Sequence, residues 1–324
     1  MFDIIDVSNV SINILPKTKV VPLGNAIGLK LYTKGVLVVG MAEIDGVKPY
    51  ENTKIEEGDR IISINNKEIK NTEELIETVN YYQGKELEIK YINNENKEQI
   101  ANITPIKDTD NEYKLGLWVR DAAAGVGTAT FYEPNSGTFV ALGHGITDID
   151  TGNLITIANG ELVNSNIISV IKGEKGKPGE IRGSIEGQAK LGDIYKNTSF
   201  GIYGKISNDI TLQDTEDAIE VLPRNEIKQG KAYIICELEN GKKEKYEIEI
   251  EKIYLNNNKD NKSMLIKITD ERLINKTGGI IQGMSGSPII QDGKFVGAVT
   301  HVLVNNPKEG YAVFADMMLK EIVS

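Results

Sequence analysis

Residues 283–299 read Gly-Met-Ser-Gly-Ser-Pro-Ile-Ile-Gln-Asp-Gly-Lys-Phe-Val-Gly-Ala-Val, and this stretch carries the pattern that decides the fold. Its two short apolar runs, Pro288–Ile290 and Phe295–Val299, are bounded by turn-forming residues. Such runs recur at Leu115–Val119, Gly127–Tyr132, Thr138–Leu142, Leu154–Ile157, Ile167–Ile171, Ile219–Leu222, Tyr233–Leu238, Tyr246–Ile250, Met264–Ile268 and Tyr311–Phe314. Many short strands with turns between them favour an all-β barrel or sandwich over a parallel α/β sheet. Asp316–Val323 is predicted to be a terminal helix.

The region before residue 104 shows a different pattern. Val36–Val39 and Ile61–Ile64 indicate buried strands, and Asn71 opens a short helix with N-cap chemistry. Leu87–Ile92 alternates with period two, and Gln99–Thr104 is the return strand of a hairpin. These elements predict a small mixed unit of strands with one clear helix.

Residues 104–112 separate the two regions. They are polar, contain Pro105 and lack an apolar period, which is typical of a linker. A chain of 324 residues also favours two domains, since a domain usually has roughly 100 to 200 residues. We therefore place the domain boundary at this segment.

Charge and metal-ligating residues exclude several classes of function. The 37 basic and 47 acidic residues give a net charge of −10, and no local basic patch favours nucleic acid or anionic lipid. Cys236 is the single cysteine, so it cannot form an internal disulfide or a zinc cluster. His144 and His301 are the two histidines and lie far apart in the sequence, which makes a metal hydrolase a poor alternative. We expect no cofactor.

The start of the chain shows no targeting signal. Met1–Val20 carries charged residues of both signs among its apolar residues and lacks the layout of a secretory signal. The longest apolar stretch, Val36–Ala42, is far shorter than the roughly 20 residues that cross a bilayer. No membrane span is predicted.

Ser285 is the candidate nucleophile. Gly283 and Gly286 bracket it, so the backbone can turn tightly and a substrate can approach the hydroxyl. The amides of Gly283 and Ser285 can converge on one point as an oxyanion hole. The alternative is a glycine-rich turn in which the serine caps a backbone amide.

A serine nucleophile needs a base, and the chain offers two imidazoles. His144 follows the predicted strand Gly137–Leu142, so its ring can project into a cleft from a strand end. His301 lies within an apolar run and is expected to pack in a strand, which leaves it as the reserve base. For His144 the alternative is an ordinary hydrogen-bonded loop histidine.

A buried carboxylate would orient the imidazole. Asp270 ends a predicted strand ahead of Ser285, whereas Asp193 lies between His144 and Ser285 in the sequence. Spacing does not decide between the two acids. A solvated turn acid is the alternative for each.

Several of these motifs resemble those of the stage IV sporulation protein B peptidases. The similar segments are Ala123–Thr128, Ala141–His144, Ile268–Asp270, Thr277–Pro288 and Val299–Val302. The resemblance spans nearly all of residues 111–324, the second predicted domain. It implies a serine endopeptidase with a chymotrypsin-like double β-barrel, in which Ser285 is the nucleophile, His144 the base and Asp270 the orienting acid.

The resemblance also implies a biological setting. Members of this family act in endospore formation, are exported from the forespore into the intermembrane space, and cleave themselves near the N-terminus. They then cleave a regulator of a membrane metalloprotease, which releases a late mother-cell sigma factor. Met1–Val20 does not have the pattern of the membrane-anchoring segment that is typical of the family, so we expect either a truncated or processed sequence or a different mode of anchoring.

The first domain, residues 18–106, resembles a PDZ module, so the whole chain is expected to be mainly β with an α+β first domain. Glu57–Asn65 matches the usual PDZ strand, and Ala26, Ile27, Gly28 and Leu29 stand where such modules keep the loop that receives a peptide carboxylate. The alternative for Ala26–Leu29 is a plain glycine turn. A PDZ groove adds an extended peptide as a strand, so the expected partners are a peptide ligand and a polypeptide substrate.

Digestive serine proteases usually carry an aspartate just before the nucleophile, where this chain has Met284. Activation by an ion pair with a freed N-terminus is therefore not expected, and control by the PDZ-like domain is favoured. A rival hypothesis from another class makes the chain a peptide-binding scaffold whose barrels are catalytically dispensable.

Overall fold

The computed structural model describes residues 17–185, 187, 189–207, 215–255 and 261–323. Of the segment Met1–Val20, only residues 17–20 fall within these ranges. The strands are β1 Lys19–Pro22, β2 Ala26–Met41, β3 Arg60–Ile64, β4 Lys67–Glu68, β5 Leu87–Ile92, β6 Glu98–Ile103, β7 Ile106–Lys107, β8 Tyr113–Lys114, β9 Leu117–Glu133, β10 Thr138–Ala141, β11 Ile157–Asn164, β12 Asn166–Ile171, β13 Glu180–Ser184, β14 Lys190–Thr198, β15 Gly201–Ile206, β16 Ile219–Glu220, β17 Gly230–Glu237, β18 Lys243–Ile253, β19 Met264–Ile268, β20 Pro288–Gln291, β21 Lys294–Leu303 and β22 Asn306–Phe314. The helices are α1 Thr72–Tyr81, α2 Glu271–Thr277 and α3 Ala315–Val323.

The PDZ-like unit is built from β3, β5, β6, α1 and the adjoining parts of β2 and β9. Helix α1 begins as predicted, because the Asn71 side chain accepts a hydrogen bond from the amide of Glu74. Its apolar face, which includes Leu75 and Val79, packs on a core of strand residues such as Ile61 and Ile89. The predicted hairpin of β5 and β6 is also confirmed.

The first barrel is a closed ring of six antiparallel strands. β9 pairs with β10, β10 with β15, β15 with β14, β14 with β11, β11 with β2, and β2 returns to β9. Its core includes Leu29, Phe139, Leu162 and Ile202. β2 and β9, of 16 and 17 residues, run on beyond the barrel into the PDZ-like unit.

This sharing of strands bears on the predicted division into residues 18–106 and 111–324, which stays a prediction. β1 and Ala26–Thr33 of β2 hydrogen-bond with barrel strands rather than with the PDZ-like sheet. The predicted linker at 104–112 contains the short hairpin of β7 and β8. Asp108 stabilises its turn by accepting hydrogen bonds from the amides of Asp110 and Glu112.

The second barrel is closed in the order β17-β18-β19-β22-β21-β20. Its core includes Ile234, Ile266 and Val299. Phe131 of the first barrel meets Phe295 of the second with ring centroids 5.2 Å apart, so aromatic side chains join the two barrels. The mainly β fold with a PDZ-like α+β unit and a chymotrypsin-like double barrel is thus confirmed, as is the terminal helix, α3.

None of the helices within the described ranges is long and apolar enough to cross a bilayer.

Candidate active site

The loop between α2 and β20 carries Ser285 and depends on its glycines. Gly283 has φ +95° and Gly286 has φ +98°, a left-handed region that side chains disfavour. A Cβ atom added to Gly286 would lie 2.2 Å from the carbonyl oxygen of Thr128. The sequence Gly-Met-Ser-Gly therefore folds into a tight turn that lies directly against the first barrel.

His144 lies just beyond the end of β10 and follows two residues with positive φ. Leu142 has φ +72° and Gly143 has φ +70°, and for a buried leucine this conformation is a real outlier. The reversal at these residues turns the chain out of the barrel sheet. Gly143 packs against Thr300, since a Cβ added to it would lie 3.2 Å from Thr300 Cγ2.

The two segments meet at the interface of the barrels. Thr128 donates its amide to the Ser285 carbonyl at 3.2 Å and its hydroxyl to the Gly283 carbonyl at 2.7 Å. The ring centroids of His144 and His301 are 5.4 Å apart. The Ser285 hydroxyl donates to the Thr300 carbonyl at 2.8 Å, so its proton must leave that acceptor before it passes to an imidazole.

The hydrogen bond of the His144 ring determines its tautomer. Nδ1 lies 2.9 Å from the Gly145 carbonyl oxygen, which can only accept, so Nδ1 carries the proton. Nε2 of the neutral ring is then free to act as a base. Burial lowers the pKa of His144, and the hydrogen bond with Gly145 opposes this shift only in part. The neutral, basic form is thus favoured.

Two amides of the turn are available to an oxyanion. Gln282 donates to Gly179, Met284 to Ile281, and Gly286 to Val299. Within the described ranges, no hydrogen bond engages the amides of Gly283 and Ser285. Partly buried amides without an acceptor are suited to stabilise developing negative charge.

Residues 111–319 match the model of the SpoIVB peptidase S55 family. This chain belongs to that family. The protein is therefore a serine peptidase.

The solved structures to which the peptidase is similar have low TM-scores. The Rv3671c protease of Mycobacterium tuberculosis, in an inactive form, is 12% identical with a TM-score of 0.34 and covers 61% of this chain and 85% of its own. The HtrA-type protease AlgW with a decapeptide is 10% identical with a TM-score of 0.39 and covers 94% of this chain and 64% of its own. The PDZ domain of an SdrC-like protein from Listeria monocytogenes is 22% identical with a TM-score of 0.23 and covers 26% and 87%. Comparison with curated proteins gives no match.

The peptidase does not bring the expected acids to His144. Asp270 is the N-cap of α2, where its carboxylate accepts from the Arg272 amide and guanidinium and from the Glu247 amide. Arg272 holds the pKa of Asp270 at about 2. Asp193 lies on β14 and pairs with Lys190 at 2.7 Å. The expectation that Asp270 orients the imidazole is thus corrected, because its lone pairs serve the helix cap and the guanidinium.

The expected carboxylate-binding loop at Ala26, Ile27, Gly28 and Leu29 is also corrected. These four residues lie inside β2, with β9 on one edge and β11 on the other. Ile27 and Leu29 are only 1% and 2% exposed. A strand that is paired on both edges has no backbone groups left for a peptide.

The PDZ-like unit has its groove elsewhere, between α1 and the start of β9. This cavity of about 350 Å³ is lined by apolar residues that include Leu75, Val79 and Leu117. Gly116 has φ +73°, and in the described part of the chain no hydrogen bond engages the amides of Leu115 and Gly116. The signal that could have found this site is Lys114-Leu115-Gly116-Leu117, a glycine between apolar residues directly before a strand.

Among the residues that the structure describes, the other reactive groups form no second catalytic centre. Burial raises the pKa of the Cys236 thiol to about 12, so it is inert as a nucleophile. Among the described residues, no group of three or more His, Cys, Asp or Glu side chains could hold a metal ion.

Proposed function

We propose that this peptidase is an endopeptidase of endospore formation in which Ser285 is the nucleophile and His144 the general base. One observation carries the proposal: the turn of Ser285 is hydrogen-bonded to Thr128, and Gly286 packs against Leu142, two residues before His144. Base and nucleophile thus come from different barrels and face one interface. Gly283 and Ser285 supply the oxyanion amides.

The reaction begins when the Ser285 oxygen attacks the scissile carbonyl carbon and His144 Nε2 takes the hydroxyl proton. The carbonyl oxygen becomes an oxyanion that accepts from the amides of Gly283 and Ser285. His144 then gives its proton to the leaving amine as the peptide bond breaks. Water, deprotonated by the same ring, releases the acyl group and restores the serine.

His144 works in this proposal without a carboxylate partner. The Gly145 carbonyl holds Nδ1 instead, which fixes the tautomer and the ring orientation. A neutral acceptor stabilises the imidazolium less than a carboxylate does. We therefore expect a modest turnover, suited to a few cleavages of a specific substrate.

The biological role rests on family membership. We propose that the peptidase is exported from the forespore into the intermembrane space and cleaves itself near its N-terminus. It then cleaves a regulator that restrains a membrane metalloprotease, which leads to activation of a late sigma factor. A peptide ligand occupies the groove beside α1 and contributes to control.

A fluorophosphonate probe tests the nucleophile. Wild-type protein should be labelled and Ser285→Ala should not. Ser287→Ala is the matched control, because Ser287 lies in the same turn but is fully buried and donates to the Met284 carbonyl. Labelling of Ser285→Ala, or none of wild type, would count against the mechanism.

A cellular test separates the peptidase from the scaffold hypothesis. Ser285→Ala introduced into the spore-forming host should block late sigma-factor activation. If that variant supports sporulation while substitutions in the groove abolish it, the barrels serve only as a docking surface.

A further inference from the structure

One edge of β9 is unpaired along most of its length. β2 covers one side from Leu117 to Thr128, whereas β10 covers the other side only from Ala129 to Glu133. Across the ranges that the structure describes, no strand pairs with residues 117–127 on this second side. A free edge of this length is a template for another extended chain.

The backbone groups of Thr128 show which residues face the free edge. Its amide donates to Ser285 and its carbonyl accepts from Leu142, so both point away from β2. Those of Ala129 point the other way, towards Gly24 and Asn25. Because direction alternates along an antiparallel strand, Ala122, Ala124 and Val126 also present their N–H and C=O groups outward.

The free edge ends at the Ser285 turn on one side. There a cavity of about 590 Å³ is lined by Ala124–Val126 of β9 and Glu180–Gly183 of β13, with Gln282 and Gly283 beside it. The Val126 side chain packs against Gly183, so β9 and β13 are in contact at that point. Gln282 donates to Gly179 and accepts from Ile181, so β13 is attached to the turn. The cavity is thus a channel that runs beside the free edge at Ala124 and Gly125 and leads to the unengaged amide of Gly283.

The other end of the same edge forms the wall of the groove beside α1. Leu117–Val119 of β9 line that groove, and the unengaged amides of Leu115 and Gly116 lie just before the strand. Asp121 holds the start of α1 at the point between the two sites, because its carboxylate accepts from the amide of Thr72 at 2.8 Å. The spacing of groove and channel is therefore fixed by one strand.

We propose that a single substrate occupies both sites at once, with its C-terminal tail added to β9 as an antiparallel strand. The terminal carboxylate binds the amides of Leu115 and Gly116, and the chain upstream passes through the channel to Ser285. This inference rests on the proposed peptidase function. In this arrangement the length of β9 fixes the number of residues between the scissile bond and the substrate's C-terminus. We refer to β9 in this role as the ruler.

The length of the ruler follows from the strand. Residues in paired strands match one for one, and Leu117 to Val126 is ten residues. The substrate needs up to about three further residues to reach from Val126 to the Ser285 hydroxyl. Cleavage is therefore expected about ten to thirteen residues from the substrate's C-terminus. A strand of this length spans roughly 30 Å.

Unstructured synthetic peptides of thirty residues with free apolar C-termini provide the test. Wild-type protein should cut them at sites that cluster about ten to thirteen residues from the end, as read by mass spectrometry. Three residues inserted between the cut and the C-terminus should move the cut three bonds towards the C-terminus. Cuts that stay with the local sequence would overturn the ruler while leaving the peptidase intact.

The carboxylate end is tested on the same peptides. Replacing the terminal acid by an amide should lower kcat/KM at least tenfold and scatter the cuts. Trp118, the single tryptophan, lies on the groove strand and is 65% exposed, so its fluorescence should change with the acid peptide and not with the amide. Equal cleavage and equal fluorescence of the two forms would contradict the proposal.

Ala124→Pro tests the channel. Proline removes an outward N–H and costs no hydrogen bond to β2, so the strand can tolerate it at an edge. We expect kcat/KM for the long peptides to fall at least tenfold, and an unchanged value would overturn the proposal. Fluorophosphonate labelling is followed in parallel, and if labelling is lost, the acid and amide peptides with unaltered protein decide.

Discussion

The two barrels support the active site in opposite ways. The second barrel closes within residues 230–314 and presents Ser285 on a tight turn at the entry to β20. The first barrel closes through β2 and β9, which continue into the PDZ-like unit, and presents His144 after a left-handed Leu142. The proposed nucleophile thus belongs to a self-contained unit, whereas the proposed base belongs to one that is continuous with the groove beside α1.

Removing each histidine separately tests which barrel supplies the general base. His144→Ala should lower kcat/KM by about 10⁴-fold or more, because nucleophile and base act as a unit. His301→Ala should cost less than about tenfold, since its ring lies on the second barrel beside that of His144 and is not the proposed base. Steady-state cleavage of one peptide by both variants gives the measurement. A larger loss for His301→Ala would move the base to the second barrel.

The turn of Ser285 can be broken without touching its hydroxyl. Gly286→Ala should destabilise the protein by about 2 to 4 kcal/mol, because of its φ of +98° and the 2.2 Å approach to Thr128. Gly293→Ala is the matched control on the same barrel, with φ +76° and open space around it. It should cost about 1 kcal/mol, the price of a left-handed conformation alone. Urea unfolding of both variants measures the difference, and equal losses would mean that the turn does not lie tightly against the first barrel.

Local patterns predicted what local physics controls. The capping residue Asn71, the hairpin after Leu87 and the glycines around Ser285 each act within a few positions, and the structure has them as expected. The candidate site also requires that the segments of His144 and Ser285, more than a hundred residues apart, meet in the fold. The pattern of apolar runs alone does not specify this contact. The Ser285 turn does pack against the residues before His144.

Two expectations about the sites were wrong, one because of long-range strand pairing and one because of a local helix cap. Ala26–Leu29 has the composition of a glycine turn, but β9 and β11 take up both of its edges and make it a central strand. Asp270 ends a predicted strand ahead of Ser285, yet Arg272 and the start of α2 hold its carboxylate. The strands that pair with Ala26–Leu29 are distant in the sequence, whereas the partners of Asp270 are local and were missed because no helix was predicted after it.

Asp270→Ala tests whether Asp270 acts as the cap of α2 or as the orienting acid of His144. As a helix cap, Asp270 should contribute about 1 to 2 kcal/mol to stability and little to kcat/KM. With a folded pKa of about 2, this contribution is present above the unfolded value near 3.8 and disappears as the pH falls towards 2. Thermal unfolding and peptide cleavage near neutral pH separate the two roles. A loss of kcat/KM of about 10⁴-fold without unfolding would restore Asp270 as the orienting acid.

The smallest expected effect concerns the pKa of His144 in the first barrel. Burial lowers this pKa from the ordinary value of 6.5, so the ring stays neutral and basic at more acidic pH. The acid limb of the profile of kcat/KM against pH should therefore lie below 6.5, because only the neutral ring accepts the Ser285 proton. The same shift affects stability, because the unfolded chain binds this proton more readily than the folded one. The free energy of unfolding should therefore decrease as the pH falls from the unfolded pKa of His144 towards its lower folded pKa. The profile of His301→Gln provides the control, since it removes the other imidazole. An acid limb at or above 6.5 in both proteins would show that solvent reaches the His144 ring more freely than its buried position implies.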